Sequence, residues 1–248
     1  MAMRWLLAAV AAFGCTAVVP LALGQNPVSA DPSAKGQVEL RGAGATFPAP
    51  LYQKWIDVYT QANPNISIKY QGVGSGEGSQ LFLEQKVDFG ASDAALSDEQ
   101  IAQAKAGVTL VPTTAGIIVL AYNLPDVKGT LKLSRDVYAD IFAGKIRQWD
   151  DPRIQALNPD LKLPKQTITL VARKDSSGTT YALTNHLSTI SEAWRTQGPG
   201  VGKLIEWPGI STVARGNEGV AGRIKHSWGS IGYVEYGFAK RLGLPMVY

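Results

Sequence analysis

The amino-acid sequence predicts an α/β fold in which helices alternate with strands. Segments with the helical spacing of apolar residues follow segments with strand-like alternation along the chain. Glycine-rich turns separate these segments, and one continuous apolar run is typical of a buried strand. The 248 residues, 45% hydrophobic and 18% charged, are enough to bury the core of one large or two modest domains.

In the first half of the chain, proline and polar residues mark the helix starts. Structure is predicted to begin near Val38, and Pro48 and Pro50 precede a segment with helical spacing. Ser97 and Gln100 have the spacing of a capping box. The predicted elements are, in order, a helix over 51–59, a strand over 66–70, a glycine-rich turn over 72–79, a strand over 87–91 and a helix over 97–105.

In the second half, one apolar run and one glycine are the clearest signals. Residues 117–122 are apolar throughout, which favours a buried strand. Gly144 is expected to end the helix that precedes it, because glycine is common just after a helix. The predicted elements are a strand over 117–122, a helix over 134–143, a strand over 167–171, a helix over 178–187 and a strand over 231–234.

Residues 1–24 are predicted to be a secretory signal peptide. Arg4 is their only charge, an apolar run follows it, and small residues allow cleavage after Gly24 or after Ala30. A transmembrane anchor is the alternative, and Pro20 weighs against it. Residues 25–37, rich in Ser, Pro, Ala and Gln, are predicted to be a flexible tether.

The residue counts exclude several classes of site. One cysteine, Cys15, and two histidines, His186 and His226, cannot form a disulfide framework or a Cys/His zinc cluster. A lipid anchor at Cys15 is disfavoured, because the apolar run continues beyond it. The net charge of +4, with no basic stripe, does not favour nucleic acid as a partner. Both histidines are expected on the surface, and neither a metal nor a cofactor is expected.

Three turns have a composition that suits an anion, namely residues 42–47, 72–79 and 175–180. Each precedes a predicted helix, so that glycine backbone, hydroxyl groups and unpaired amides are available together. Arg173 adds a positive charge beside the third turn. Dinucleotide-binding, P-loop and nucleophile-elbow patterns do not fit these turns, although plain helix capping does. Asp93 is either a ligand at the carboxyl end of a strand or a helix cap.

Five stretches resemble the periplasmic phosphate-binding proteins of ABC-type phosphate importers. They occur in the order of that family and cover nearly all of the chain from Val38 to Lys240. The stretches are GAGATFPAPLYQKW (42–55), VDFGASDAALS (87–97), IFAGKIRQWDDPRIQALNP (141–159), GNEGVA (216–221) and GSIGYVEY (229–236).

The resemblance implies a two-lobed periplasmic-binding-protein fold that closes at a hinge around one inorganic phosphate. It implies an exported protein, periplasmic or otherwise extracytoplasmic, that delivers phosphate to a membrane permease. The resemblance also implies that the protein is a monomer and is not an enzyme. Lobe one would comprise residues 38–112 and lobe two residues 113–240, with 241–248 returning toward lobe one. The implied ligands are Thr46, Phe47, Ser75 and Asp93 from lobe one and Arg173, Ser177, Gly178 and Thr179 from lobe two, with Asp175 holding Arg173.

The chain departs from the family pattern at three residues and at its end. Ala95 replaces a common proline, Ser176 a common glycine, and Glu77 a small neutral residue, with Glu77 expected to face solvent. Family members continue beyond the last matched stretch to complete lobe one, so the chain is either a fragment or a shortened homologue with lobe one incomplete. The alternatives to a phosphate receptor are a truncated relative with weak or no phosphate binding and, less favoured, a secreted phosphoester hydrolase.

Overall fold

The computed structural model describes residues Val38–Tyr248, which are divided between two β-sheets. The predicted signal peptide, its two cleavage sites, Cys15 and the predicted tether lie outside these residues. We use lobe one for the first sheet with its helices, residues 38–103, and lobe two for the second sheet with its helices, residues 118–248.

Lobe one is a parallel three-stranded sheet with a helix after each strand. Gly44, at the end of the first strand, pairs with Gly72 of the second strand and Ala91 of the third, so the turns after all three strands meet at one edge. The strand order is β2-β1-β3. The elements are β1 (Val38–Gly44), α1 (Ala49–Ala62), β2 (Ile66–Gly72), α2 (Ser75–Leu83), β3 (Phe89–Ala91) and α3 (Asp98–Gln103).

Lobe two is a four-stranded sheet of order β4-β7-β5-β6. Its central strand β5 is parallel to β6 and β7, and β4 is antiparallel to β7. Arg173 at the end of β5 pairs with Ala214 at the end of β6, so the next turns are neighbours. The elements are β4 (Ile118–Tyr122), α4 (Arg135–Phe142), α5 (Pro152–Leu157), β5 (Thr169–Arg173), α6 (Gly178–Ile190), α7 (Glu192–Gln197), β6 (Ser211–Ala214), α8 (Gly216–His226), β7 (Ser230–Glu235) and α9 (Tyr236–Leu242).

The helix signals in the sequence are confirmed. Pro48 occupies the N-cap position of α1 and a second proline follows in its first turn. The Ser97 side chain accepts the Gln100 amide while the Gln100 side chain accepts the Ser97 amide, which completes the capping box of α3. Gly144 follows α4 with φ +69°, a backbone conformation that glycine adopts without strain.

Two predicted turns contain more regular structure than expected. β1 continues through Gly44, and α2 begins at Ser75 inside the glycine-rich stretch. A Cβ on Gly78 would lie 2.2 Å from the Gly44 Cα, so α2 packs directly on β1. Glycine in this stretch therefore serves close helix–strand packing as well as turn formation.

The predicted buried strand over 117–122 is an edge strand. Of its residues only Ala121 and Tyr122 are buried, and Ile117 is 65% exposed. An edge strand has one neighbour in its sheet, so an apolar run does not by itself bury a strand. The short elements α5, α7, β6 and α9 and the glycine-containing α8 were not predicted, because their apolar periodicity is weak or brief.

Residues 245–248 lie along β4 of lobe two. Met246 forms an antiparallel bridge with Ala121, and the Val247 amide donates to the Leu120 carbonyl at 2.9 Å. The Tyr248 amide donates to the Leu131 carbonyl. These contacts differ from the expectation that 241–248 turns back toward lobe one, because the pairing partner is the free edge of the second sheet.

Side chains of lobe two form two apolar clusters on opposite faces of its sheet. Leu170 and Ala172 point into one cluster, while Val171 between them points into the other. Trp149 and Trp194 are the largest side chains of the first cluster, which α4 and α6 cover.

Among the described residues, no helix is long and apolar enough to cross a membrane.

Candidate functional site

The turn after β5 brings three buried residues of lobe two together, two of which carry hydroxyl groups. Ser177 caps α6 by accepting the Thr180 amide at 3.1 Å, and Gly178 and Thr179 form the first turn of that helix. Ser177 and Thr179 are at most 1% exposed. The Ser177 and Thr179 hydroxyl groups lie at the start of α6, where the helix dipole and the remaining free amides suit a negatively charged group.

Arg173, the last residue of β5, is buried and paired with Asp175. Its Nε donates to Asp175 Oδ1 at 2.9 Å and its Nη2 donates to Asp175 Oδ2. Asp175 Oδ1 also accepts the Gly216 amide at 2.9 Å. Burial raises the pKa of Asp175, but the hydrogen bond and the charge of Arg173 outweigh it, and the pKa is lowered. The guanidinium is thus fixed, with Nη1 3.5 Å from Thr179 Oγ1.

Lobe one contributes Ser75 and Asp93 from turns at the edge where its strands end. Ser75, 1% exposed, begins α2, and its Oγ accepts the Asp93 amide at 3.2 Å. Gly74 before it has φ +108°, and a Cβ there would lie 2.6 Å from Asp175 Oδ2 of lobe two. Asp93 is therefore a member of this cluster, and the helix cap of α3 is Ser97.

The Asp93 carboxyl faces the polar residues of lobe two. Thr179 Oγ1 donates to Asp93 Oδ2 at 3.4 Å. Burial raises the pKa of Asp93 to about 6, against the opposing influence of Arg173, Thr179, Ser75 and Lys203. Asp93 is thus ionised at neutral pH but becomes protonated in mildly acidic solution.

The residues named as ligands from the resemblance lie on both sides of the contact between the lobes. A Cβ on Gly178 would lie 2.5 Å from Ser75 Oγ and 2.6 Å from Asp93 Cβ, so a side chain at 178 would separate them. Phe47 lines an inter-lobe cavity of about 270 Å³ together with Asp93 and Thr179. Thr46 is held against lobe two by hydrogen bonds.

Two residues at the site were missed by the sequence reasoning, Asn217 and Lys203. Asn217, 0% exposed, donates to Thr46 Oγ1 and lies 3.4 Å from Thr179 Oγ1. Its position in the stretch GNEGVA, directly after a glycine, was the available signal. The Lys203 carbonyl accepts the Ser177 amide at 2.7 Å, and burial lowers the Lys203 pKa, with Asp93 opposing. No pattern in the sequence marks Lys203.

Direct contacts also join the lobes next to this cluster. The Gly76 amide donates to the Ser176 carbonyl at 3.0 Å, and a Cβ on Gly76 would lie 2.0 Å from Ser176 Oγ. Glu77 Oε2 accepts from Arg215 Nη2 at 2.6 Å, and both side chains are at least half exposed. Glu77 therefore faces the surface, as predicted, and does not enter the cluster.

The two histidines lie away from the cluster and are exposed. His186 Nε2 contacts the Tyr138 hydroxyl at 2.6 Å, and His226 Nδ1 lies 2.8 Å from the Gly222 carbonyl within α8. Within residues 38–248, no group of three or more His, Cys, Asp or Glu side chains is arranged to hold a metal ion.

The chemistry that the cluster around Arg173 and Asp93 offers is recognition of an anion that carries a proton.

A family model described as a PBP superfamily domain matches residues 29–248. "Phosphate-binding protein PstS" of Haemophilus influenzae is 45% identical over 209 residues, covering 84% of this chain and 61% of the relative. The protein of the same name from Pasteurella multocida is 44% identical over 203 residues, covering 82% of this chain and 58% of the relative. The chain thus spans less than two thirds of the length of these relatives.

Among solved structures, "a high affinity periplasmic phosphate-binding protein (PfluDING) bound with phosphate" superimposes with a TM-score of 0.66. The match covers 82% of this chain and 57% of the other, at 24% identity. At this identity the likeness shows the fold, which has two lobes.

Proposed function

The chain belongs to the PBP superfamily, and we propose that it is a phosphate receptor of an ABC-type importer. It binds one inorganic phosphate between lobe one and lobe two, without catalysis, and delivers it to a membrane permease. The observation that carries this proposal is the buried Arg173, fixed by Asp175, with the Thr179 hydroxyl between its guanidinium and the Asp93 carboxyl. The relatives from Haemophilus influenzae and Pasteurella multocida are named as phosphate-binding proteins, which supports the same ligand.

Arg173 supplies the positive charge of the proposed site. Its Nε and one N–H of Nη2 are bonded to Asp175, and one N–H of Nη1 faces Thr179 Oγ1 at 3.5 Å, so the remaining N–H groups of Nη1 and Nη2 are available to a ligand oxygen. Charge-assisted hydrogen bonds of this type are about twice as strong as neutral ones. The remaining proposed donors are hydroxyl and amide groups, namely those of Thr46, Phe47, Ser75, Ser177, Gly178 and Thr179.

Asp93 supplies selectivity in this proposal. A carboxylate is an acceptor only, so it attracts the proton of hydrogen phosphate and repels sulfate, which has no proton to donate. A buried acceptor without a donor is costly, which penalises sulfate. Since the pKa of Asp93 is about 6, selectivity should be strongest above that pH, where the carboxyl is ionised.

We extend the proposal to the cellular location and the oligomeric state of the protein. Residues 1–24 direct export, so that the receptor works in the periplasm or an equivalent extracytoplasmic space, and it works there as a monomer. The support is the composition of the leader, a single basic residue followed by an apolar run.

Calorimetric titration of the purified chain with phosphate and with sulfate tests the proposal. We expect phosphate binding with little response to sulfate at pH 8. Arg173→Ala should weaken phosphate binding by about 2 kcal/mol or more, and Arg173→Lys should restore only part of it. Asp93→Asn should reduce the preference for phosphate over sulfate roughly ten- to a hundredfold.

Three results would contradict the proposal. No heat with phosphate at millimolar concentration would favour a relative with weak or no phosphate binding. Turnover of a chromogenic phosphomonoester under conditions where phosphate binds would favour a hydrolase. Unchanged selectivity in Asp93→Asn would remove Asp93 from the ligand set.

A further inference from the structure

Asn217 is a fully buried polar residue of lobe two that is bonded to lobe one. It is the second residue of α8 and 0% exposed. Its backbone amide donates to Thr46 Oγ1 at 3.1 Å and its Nδ2 donates to the same oxygen at 3.0 Å. One side-chain oxygen of lobe one is therefore held by two donors of lobe two.

The orientation of the Asn217 amide is determined by its other partner. The backbone amide of Glu235, at the end of β7, donates to Asn217 Oδ1 at 2.9 Å. Because a backbone amide can only donate, the oxygen of the side chain must face Glu235 and the nitrogen must face Thr46. Asn217 thus presents a donor, and not an acceptor, to lobe one.

This arrangement decides what the Thr46 hydroxyl can do. A hydroxyl has two acceptor lone pairs and one hydrogen, and the two N–H groups of Asn217 use the lone pairs. The remaining capacity of Thr46 is to donate its own hydrogen. A hydroxyl whose two lone pairs are already used suits an anion oxygen, because it can donate its hydrogen to the anion and does not readily accept from a third donor.

Asn217 is also tied to the positive charge of the site. Gly216, with φ +68°, precedes it, and the Gly216 amide donates to Asp175, which in turn holds Arg173. A chain of hydrogen bonds therefore runs from the guanidinium to the first turn of α8 and on to Thr46.

From these contacts we propose that Asn217 is a positioning residue for phosphate. It makes the Thr46 hydroxyl a dedicated donor and holds the turn after β1 against lobe two when the lobes are together. This inference rests on the proposed function, because it specifies how one of the proposed ligands is oriented. Asn217 Nδ2 is closer to Thr46 Oγ1, at 3.0 Å, than to Thr179 Oγ1, at 3.4 Å, so the inference predicts that Asn217 affects phosphate affinity through Thr46 and not through the stability of lobe two.

A double-mutant cycle on phosphate affinity tests the inference, with Asn217→Ala, Thr46→Val and the two combined. Each single change should weaken phosphate binding roughly ten- to a hundredfold, and the combined change should cost hardly more than one alone. Thr46→Ser keeps the hydroxyl and should bind nearly as the parent does. Asn217→Asp keeps an acceptor for Glu235 but loses the side-chain donor, so it should also bind phosphate weakly.

Asn158 provides a matched control in lobe two. It is 4% exposed and its side chain bonds to Lys132 and to the Ile154 carbonyl, without contact to lobe one. Asn158→Ala should lower the unfolding temperature and leave phosphate affinity unchanged.

The outcomes separate this inference from the proposed function. A parent chain that binds no phosphate contradicts the proposed function and the inference with it. A parent that binds phosphate, with additive effects of Asn217→Ala and Thr46→Val, overturns the inference alone. If Asn217→Ala does not fold, the same double-mutant cycle is measured with Asn217→Asp in its place. Phosphate affinity equal to that of the parent in Asn217→Asp would also overturn the inference.

Discussion

Lobe one and lobe two have the same strand–turn–helix plan but bury different side chains. In lobe two, Trp149, Trp194 and Tyr233 are at most 1% exposed. In lobe one, the buried hydrophobic residues among those described are alanines, at positions 43, 45, 91 and 94. Similar strand–turn–helix units and similar ligand turns therefore do not require similar cores.

Lobe one is held together by close backbone approach and by contacts with lobe two. A Cβ on Gly44 would lie 2.0 Å from the Ala91 carbonyl oxygen, and Gly78 packs against Gly44 in the same way. Helix α1 has no buried residue, and its Trp55 and Val58 are about half exposed. Dispersion contacts and apolar burial, the main sources of stability, are thus concentrated in lobe two.

A matched pair of leucines gives the largest expected difference between the lobes. Leu187 in α6 is 0% exposed, whereas Leu51 in α1 is 36% exposed. Leu187→Ala should lower the free energy of unfolding by about 2–5 kcal/mol, because it leaves a cavity. Leu51→Ala should change it by less than about 1 kcal/mol. Urea unfolding of both variants checks this, and equal losses would show that α1 is buried in solution.

Two aspartates, one from each lobe, should respond to pH in opposite directions. The folded pKa of Asp93 is about 6, above its ordinary 3.8, so the folded state binds more protons between these values. The stability that this residue contributes is present below about pH 4 and is lost as pH rises through 6. Asp93→Asn should therefore stabilise the unliganded chain above pH 6, by up to about 3 kcal/mol.

Asp175 of lobe two has a lowered pKa and contributes stability above its ordinary pKa, which is lost as pH falls through the lowered value. Asp175→Asn should destabilise the chain at pH 7 by about 3 kcal/mol, because Arg173 remains buried with a weaker partner. Unfolding midpoints at pH 4, 6 and 8 for both variants test the pair. A loss of stability in Asp93→Asn at pH 8 would contradict the raised pKa.

Amide hydrogen exchange sharpens the comparison residue by residue. In the unliganded chain, amides over 42–95 should exchange roughly a hundredfold faster than those over 117–171, because fewer large side chains must separate before lobe one opens. Phosphate should slow exchange in the first range by stabilising the bound state. Uniformly slow exchange across both ranges would show that lobe one needs no large core to remain closed.

The exposed ion pair between Glu77 of lobe one and Arg215 of lobe two should have the smallest effect on phosphate affinity. Glu77 and Arg215 are 50% and 62% exposed, and exposed ion pairs contribute about 0–1 kcal/mol. Glu77→Gln should thus change phosphate affinity less than tenfold, and 0.5 M salt should remove the difference. Titrations at low and high salt test this, with Glu99→Gln, an exposed glutamate in lobe one, as the control.

The sequence by itself determined the fold class, the starts of helices α1 and α3, the end of α4 and the turns that bear the candidate ligands. These features depend on neighbouring residues: proline at the start of α1, Ser97 with Gln100 at the start of α3, and Gly144 after α4. Local chemistry of this kind acts over a few residues, so it can be read without knowing what packs nearby. The family resemblance added the roles of the candidate ligands.

Only the tertiary structure decided which residues become partners across long stretches of chain. Thr46 and Asn217 are 171 positions apart, and Ser75 and Asp93 meet because their strands are neighbours of β1. The unequal burial of the two lobes, and the edge position of β4, likewise depend on what covers each face. These outcomes follow from strand order and packing, which no short segment of sequence contains.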